Sequence, residues 1–150
     1  MKLRNSHIIF DLDGTLYDLY SDNWLDKIKN EDPSVFTEGR ALVNLDKLNK
    51  KIEIFQKLGC TFAVVTWLPM GATDKYKKEC YSAKMRWCKK NLPTINEINI
   101  IDYGIGKHLY RKKDKFNYLI DDNLEINDKF NINKNCKGMG LSLFLGKSVK

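Results

Sequence analysis

The chain has 150 residues, 43% of them hydrophobic and 30% charged, and carries a formal net charge of +7. That length suits one domain with a single sizeable core, and that balance excludes a fibrous or disordered chain. The positive excess favours phosphate-bearing partners, nucleotides or nucleic acid, although runs such as KYKKE, CKK and YRKKDK are interleaved with carboxylates and aromatics and also read as solvated faces.

In chain order, HIIFD (residues 7–11) is the first short apolar segment and reads as a strand buried on both faces, because its apolar residues run together. Residues 17–43 form an insertion, with YDLYSDNWLDKIKN helical in pattern and EDPSVFTEGRA a turn and short connection. Leu45, Leu48, Ile52 and Phe55 then fall at helical spacing, with Asn44 as N-cap and Gly59 placed to end the helix. TFAVVT (61–66) reads as a second strand. A helix over 73–91 follows, with Tyr76, Cys80, Ala83 and Trp87 along one stripe and Pro93 beyond its end. INIID (98–102), NYLID (117–121) and LSLFL (141–145) read as three further strands.

Alternating strands and helices predict an α/β fold: a Rossmann-like three-layer parallel sheet of about five strands with right-handed crossovers. No repeat, low-complexity segment or linker divides residues 1–150, so a single domain is expected. Ligands of such sheets bind beyond the carboxyl ends of the strands, and Asp11, Thr66, Asp102 and Asp121 all stand there. Cys60, Cys80, Cys88 and Cys136 form no CxxC pair and read as ordinary buried thiols. No apolar run reaches the roughly 18 residues of a membrane span, and MKLRNSH is too short and polar for a signal peptide. A cytoplasmic protein without a membrane partner is expected.

Asp11 and Asp13 flank Leu12, and on a regular strand both would point to the same face. Two anions held so close are unfavourable unless a cation or a shared proton relieves them. Gly14 allows a backbone geometry that a Cβ would resist, and Thr15 adds a hydroxyl and an N–H. LIDDN supplies Asp121 and Asp122 at another strand end, and Mg²⁺ needs only one or two carboxylates besides water and substrate phosphate. Terminal aspartates also cap helices and turns, which is the structural alternative for either pair taken alone.

FDLDGTL (residues 10–16) resembles the first motif of the haloacid dehalogenase superfamily, hydrophobic residues followed by DxDGT. Thr66 matches the second motif, Lys107 in YGIGKH the third, and Asp121 with Asp122 the acidic fourth, so the resemblance runs along nearly the whole chain. It implies a two-step phosphoryl transfer. Asp11 would attack phosphorus, and Asp13 would protonate the leaving group and then activate water. Thr66 and Lys107 would hold phosphoryl oxygens, with Mg²⁺ held by Asp11, Asp121, Asp122 and the backbone carbonyl of Asp13. Lys112, Lys113 and Lys115 are the other lysines near the third motif. Members that pump ions carry Thr at the place of Asp13, and dehalogenases lack this acid, so the form here is that of the phosphatases.

In this superfamily, insertions set the substrate. An insertion of only 17–43 implies a minimal cap and an open site, suited to a nucleic-acid end or covered by a partner subunit in a homodimer. DGTLYDLY, NWL, TWLP, YGIGKH and LIDDN are similar to the small 5′-nucleotidase-like members often encoded by bacteriophages. A nucleotide or similar small phosphate ester is the first expectation, a nucleic-acid-end phosphatase the second, and a non-catalytic module that binds a phosphorylated ligand the third. Gly14, Thr15, Tyr17, Trp24 and Trp67 are the candidate substrate-binding residues. Tyr17, Tyr20 and Trp24 share a helical spacing that serves either packing or base stacking, and Trp67 either lines the pocket or wedges the strand end into the core. His7 and His108 read as structural or exposed.

Overall fold

The computed structural model describes residues 3–20, 23–37 and 40–146; residues 21, 22, 38 and 39 of the expected insertion lie outside the described residues. Five parallel strands, β1 (His7–Phe10), β2 (Thr61–Trp67), β3 (Glu97–Ile101), β4 (Asn117–Ile120) and β5 (Cys136–Met139), form one sheet in the order β3-β2-β1-β4-β5. β1 is central because it is apolar on both faces. Ile8 and Phe10 enter the larger core with Phe62, Val64, Tyr118 and Ile120, while Ile9 enters a smaller one with Ala63, Val65 and Leu119.

The described residues form five α-helices: α1 (Trp24–Lys29), α2 (Leu45–Lys57), α3 (Asp74–Asn91), α4 (Leu124–Asn131) and α5 (Leu141–Leu145). Leu48, Ile52 and Phe55 of α2, Tyr76, Cys80 and Ala83 of α3, and Phe144 of α5 fill the larger core. Phe130 of α4 closes the smaller one, so the sheet is covered on both faces in a Rossmann-like three-layer architecture. The expected caps are in place: Asn44 Oδ1 accepts from Lys47 N–H, Thr73 Oγ1 accepts from Tyr76 N–H, and Gly59 follows α2 at φ +84°.

Two expectations are corrected. LSLFL is the helix α5, not a strand; only Phe144 is fully buried, against Phe10 and Phe55, while Leu143 and Leu145 are exposed. The fifth strand is instead CKGM, an edge strand pairing with β4 alone, with Cys136 and Met139 buried and Lys137 exposed. Within YDLYSDNWLDKIKN only Trp24–Lys29 is helical among the described residues, so Tyr17 is not on a helix with Trp24. All four cysteines are buried and free. No helix among the described residues is long and apolar enough to cross a membrane.

Candidate functional site

Pairing with both neighbours fixes where β1 ends: Phe10 lies opposite Val64 of β2 and Ile120 of β4. Asp11 N–H still donates to Ile120 O at 2.9 Å, so the sheet holds the Asp11 backbone one step beyond the last apolar residue. The chain then turns sharply, with Leu12 O accepting from the N–H groups of Thr15, Leu16 and Tyr17. Gly14 sits at φ +77°, and a Cβ on it would lie 2.8 Å from Asp122 Oδ2 and 2.7 Å from Tyr20 Cε2. Glycine is therefore needed here both for backbone conformation and for the close approach of Asp122.

Three carboxylates meet at this edge: an oxygen from each of Asp11, Asp121 and Asp122 lies within 4.8 Å of the others. Lys107, in a 3-10 turn (Lys107–Tyr110), reaches between two of them and donates to Asp11 Oδ1 and Asp121 Oδ2, each at 2.7 Å. Asp121 Oδ1 also accepts from Asn123 N–H at 2.9 Å. Thr15 Oγ1 is 3.2 Å from Asp11 Oδ2 and from Asp122 Oδ1, and it accepts from Asp122 N–H. One hydroxyl proton serves one of those two carboxylates at a time.

Burial, opposed by Lys107 but reinforced by Asp121 and Asp13, pushes the Asp11 carboxyl up to about 7. Burial also raises Asp122, with Asp121 adding to it. Burial opposes the charge of Lys107, but Asp11 and Asp121 outweigh it and hold the ammonium above its usual range. The cluster thus carries more negative charge than its lysine relieves, and its donors are hard carboxylate oxygens. That chemistry fits a Mg²⁺ ion held by Asp11, Asp121 and Asp122.

Asp13 stands apart from that trio. Its Oδ2 accepts from Lys84 of α3 at 2.5 Å, and its Oδ1 is buried with no hydrogen-bond partner among the described residues. Lys84 also donates to Thr66 Oγ1 at 3.0 Å and to Trp67 O at 2.6 Å. Sequence reasoning missed Lys84, and the available signal was its place on the buried Tyr76, Cys80, Cys88 row of α3, where a lysine has no reason to lie without a partner. The polar residues thus form two hydrogen-bonded groups at the strand ends: Asp11, Thr15, Lys107, Asp121 and Asp122 in one, and Asp13, Thr66 and Lys84 in the other. Lys115 is remote from it, with its Nζ donating to Gly59 O, and Lys112 faces Glu97. Asp102 pairs with Lys77 at 3.0 Å.

The aromatic candidates separate. Tyr17 is 1% exposed, packs edge-on against Trp87 and donates its hydroxyl to Val35 O, so it is a core residue and not a pocket wall. Tyr20 instead is exposed beside the carboxylates; partial burial, then Asp122, Asp13, Asp11 and Asp121, push its phenol up. Trp24 meets the ring of Tyr20 edge-on, with ring centres 5.0 Å apart. Trp67 is half-buried, with its ring 5.2 Å from Lys107 Nζ and its Nε1 donating to Ile105 O. It lines a cavity of about 540 Å³ together with Tyr103, His108, Lys129 and Phe130. His7 lies far along β1 from the site, its Nδ1 2.8 Å from Thr61 Oγ1.

A Rossmann-like parallel sheet with an acidic cluster at its carboxyl edge agrees with a haloacid-dehalogenase-like fold. No family model, no curated protein and no solved structure matches the chain.

Proposed function

We propose that the chain is a Mg²⁺-dependent phosphomonoester hydrolase of the haloacid dehalogenase type, one hydrolase domain with residues 17–43 as a small cap. The observation that carries this reading is the meeting of Asp11, Asp121 and Asp122 within 4.8 Å, with Lys107 bonded to the first two.

Asp11, held through its backbone by β4 and through Oδ1 by Lys107, is the nucleophile: a carboxylate oxygen forms a bond to phosphorus as the ester oxygen leaves. Asp13 gives the leaving oxygen its proton, then takes one from the water that cleaves the aspartyl-phosphate. Thr66 and Lys107 hold phosphoryl oxygens where charge develops. A Mg²⁺ ion would be held by Asp11, Asp121, Asp122 and the Asp13 carbonyl, and when bound would supply neutralisation of negative charge. Tyr20, with Trp24 packed against it, and Trp67 are assigned to the leaving-group side.

A nucleotide is the first substrate to test, because the aromatic side chains at the site mouth suit a flat base. A nucleic-acid end is the second, supported by the +7 charge. The test is phosphate release from a panel of nucleoside monophosphates, p-nitrophenyl phosphate and 5′- and 3′-phosphorylated oligonucleotides, with Mg²⁺ or EDTA. Release that requires Mg²⁺ and vanishes in Asp11→Asn is the expected result. No release from any member, or full activity in Asp11→Asn, refutes the reading.

A further inference from the structure

We infer that Lys84 is a positioning residue that sets the proton traffic of the site, orienting Asp13 and Thr66 at once; this rests on the phosphatase reading above. An ammonium group has three hydrogens to donate and cannot accept. Lys84 spends them on Asp13 Oδ2, Thr66 Oγ1 and Trp67 O. Its side chain is 1% exposed and its Nζ lies 4.7 Å from the centre of the Phe36 ring, so it has no path to water that keeps those bonds.

Two consequences follow from donor counting. Because Lys84 can only donate, Thr66 Oγ1 is the acceptor in their contact, and the Thr66 hydroxyl hydrogen is left to be donated elsewhere. Thr66 is fully buried one residue before the end of β2, the strand that pairs with β1, and that hydrogen is assigned to a phosphoryl oxygen. Equally, Asp13 Oδ2 is occupied by Lys84, while Oδ1 is buried and unpartnered among the described residues. With Oδ2 held by Lys84, Oδ1 is the oxygen left to exchange a proton with the reacting groups. In the first step the ester P–O bond breaks, its electron pair stays on the leaving oxygen, and that oxygen takes the hydrogen from Asp13 Oδ1 as the Asp11–phosphorus bond forms. In the second, water bonds to phosphorus, returns one hydrogen to Asp13 Oδ1 and releases Asp11.

A lysine buried this deeply is costly, and an apolar residue of similar volume is often as good for stability when its charged partner is also replaced. Its presence beside the acid is explained by positioning. The Trp67 carbonyl adds a fixed point: it ties Lys84 to the backbone of β2, so Asp13 is referenced to the sheet and not to its own loop alone.

The test compares p-nitrophenyl phosphate, whose leaving group departs without a proton, with benzyl phosphate, whose leaving alkoxide needs one. The readout is the ratio of their kcat/KM values, which covers events up to formation of the aspartyl-phosphate. General acid catalysis contributes about 10²–10⁴-fold, so in Lys84→Met the ratio should rise in favour of p-nitrophenyl phosphate by at least about tenfold. Loss of the Thr66 orientation should raise KM for both substrates together and cancel in the ratio. Lys84→Arg, which keeps the charge, should recover part of the benzyl phosphate activity. In an Asp13→Asn background, Lys84→Met should leave the ratio unchanged. Equal slowing of both substrates by Lys84→Met overturns the assignment, as does a ratio that shifts as much in the Asp13→Asn background. Should Lys84→Met fail to fold by circular dichroism, Lys84→Gln, which keeps N–H donors without the charge, is read in the same way. A wild-type protein that hydrolyses neither ester overturns the phosphatase reading and the role of Lys84 with it, whereas equal slowing overturns the role of Lys84 alone.

Discussion

Replacing Lys107 by Met removes the cation between two buried carboxylates and keeps most of the side-chain volume. The Lys107 side chain is 3% exposed, that of Asp121 is 1% and that of Asp11 is 9%, so water cannot substitute for the lost ammonium. At 2.7 Å and an effective dielectric of about 20, each contact has a gross attraction of roughly 6 kcal/mol, most of it offset by desolvation. Breaking such a pair by removing one partner costs about 3–5 kcal/mol, because it leaves uncompensated buried charge. The loss should depend on pH. Burial raises Asp11 in the intact protein to about 7 even though Lys107 opposes the rise, so without Lys107 it protonates more readily still. For a carboxyl raised in this way, the stabilisation by its protonated form is complete below its unfolded value of 3.8 and is lost as pH rises through about 7. Lys107→Met should therefore lower stability by about 3–5 kcal/mol at pH 8, a fall in Tm of roughly 6–20 °C, and by less than about half of that at pH 5. Urea and thermal melts in EDTA at the two pH values measure this, and Asp11→Asn in the same chain should recover part of the loss. Equal destabilisation at pH 5 and pH 8, or none at either, refutes the reasoning.

Burial, with help from Lys112 and Lys115, lowers His7 from 6.5 to about 4, so the folded state resists its protonation. The stabilisation is complete above pH 6.5 and lost as pH falls towards 4, on the order of 2 kcal/mol after screening. His7→Gln should flatten that part of the stability–pH curve, and an unchanged slope contradicts the assignment. Gly14→Ala places a Cβ at 2.7 Å from Tyr20 and 2.8 Å from Asp122 at a positive φ. It should cost about 1–2 kcal/mol and weaken Mg²⁺ binding, measured by calorimetric titration, at least about tenfold; wild-type affinity counts against the close approach. Tyr17→Phe leaves Val35 O without its donor and should cost about 1–3 kcal/mol in urea melts, with no change in stability as the contrary result.

The strand ends were legible in the sequence because β1, β2 and β4 are buried on both faces, and an unbroken apolar run with Asp or Thr at its end has few other readings. β5 was not, because an edge strand needs apolar residues at fewer positions. Its Gly138 stands so near Asn127 that a Cβ would lie 2.5 Å from the amide oxygen, a tertiary constraint with no local trace. The leucines after it mimic a strand, yet they wrap into one helical turn to deliver Phe144 alone. At the site, Asp11, Thr66 and Asp121 could be placed from strand ends, and Lys107 from its likeness to the third motif. Lys84 could not, since it enters from the middle of a helix and its partners lie on two other elements. Tyr17 was misplaced for a related reason: it sits in isolated β-bridges with Asp13 and Ala41 and α1 begins only at Trp24, so the helical spacing that linked them has no structural meaning.

Thr15 and Asp122 are in hydrogen-bond contact although 107 positions separate them in the chain, and Lys107 and Asp11 although 96 do. As the chain emerges from a ribosome, the residue that would attack phosphorus appears early, while its cation partner and the two remaining carboxylates follow about a hundred residues later. The central strand must wait for β4 to be synthesised before it gains that neighbour, so the charged centre closes late. A nascent chain thus exposes Asp11 and Asp13 before Lys107, Asp121 and Asp122 exist to meet them, and the acidic cluster comes together only when the sheet is nearly whole.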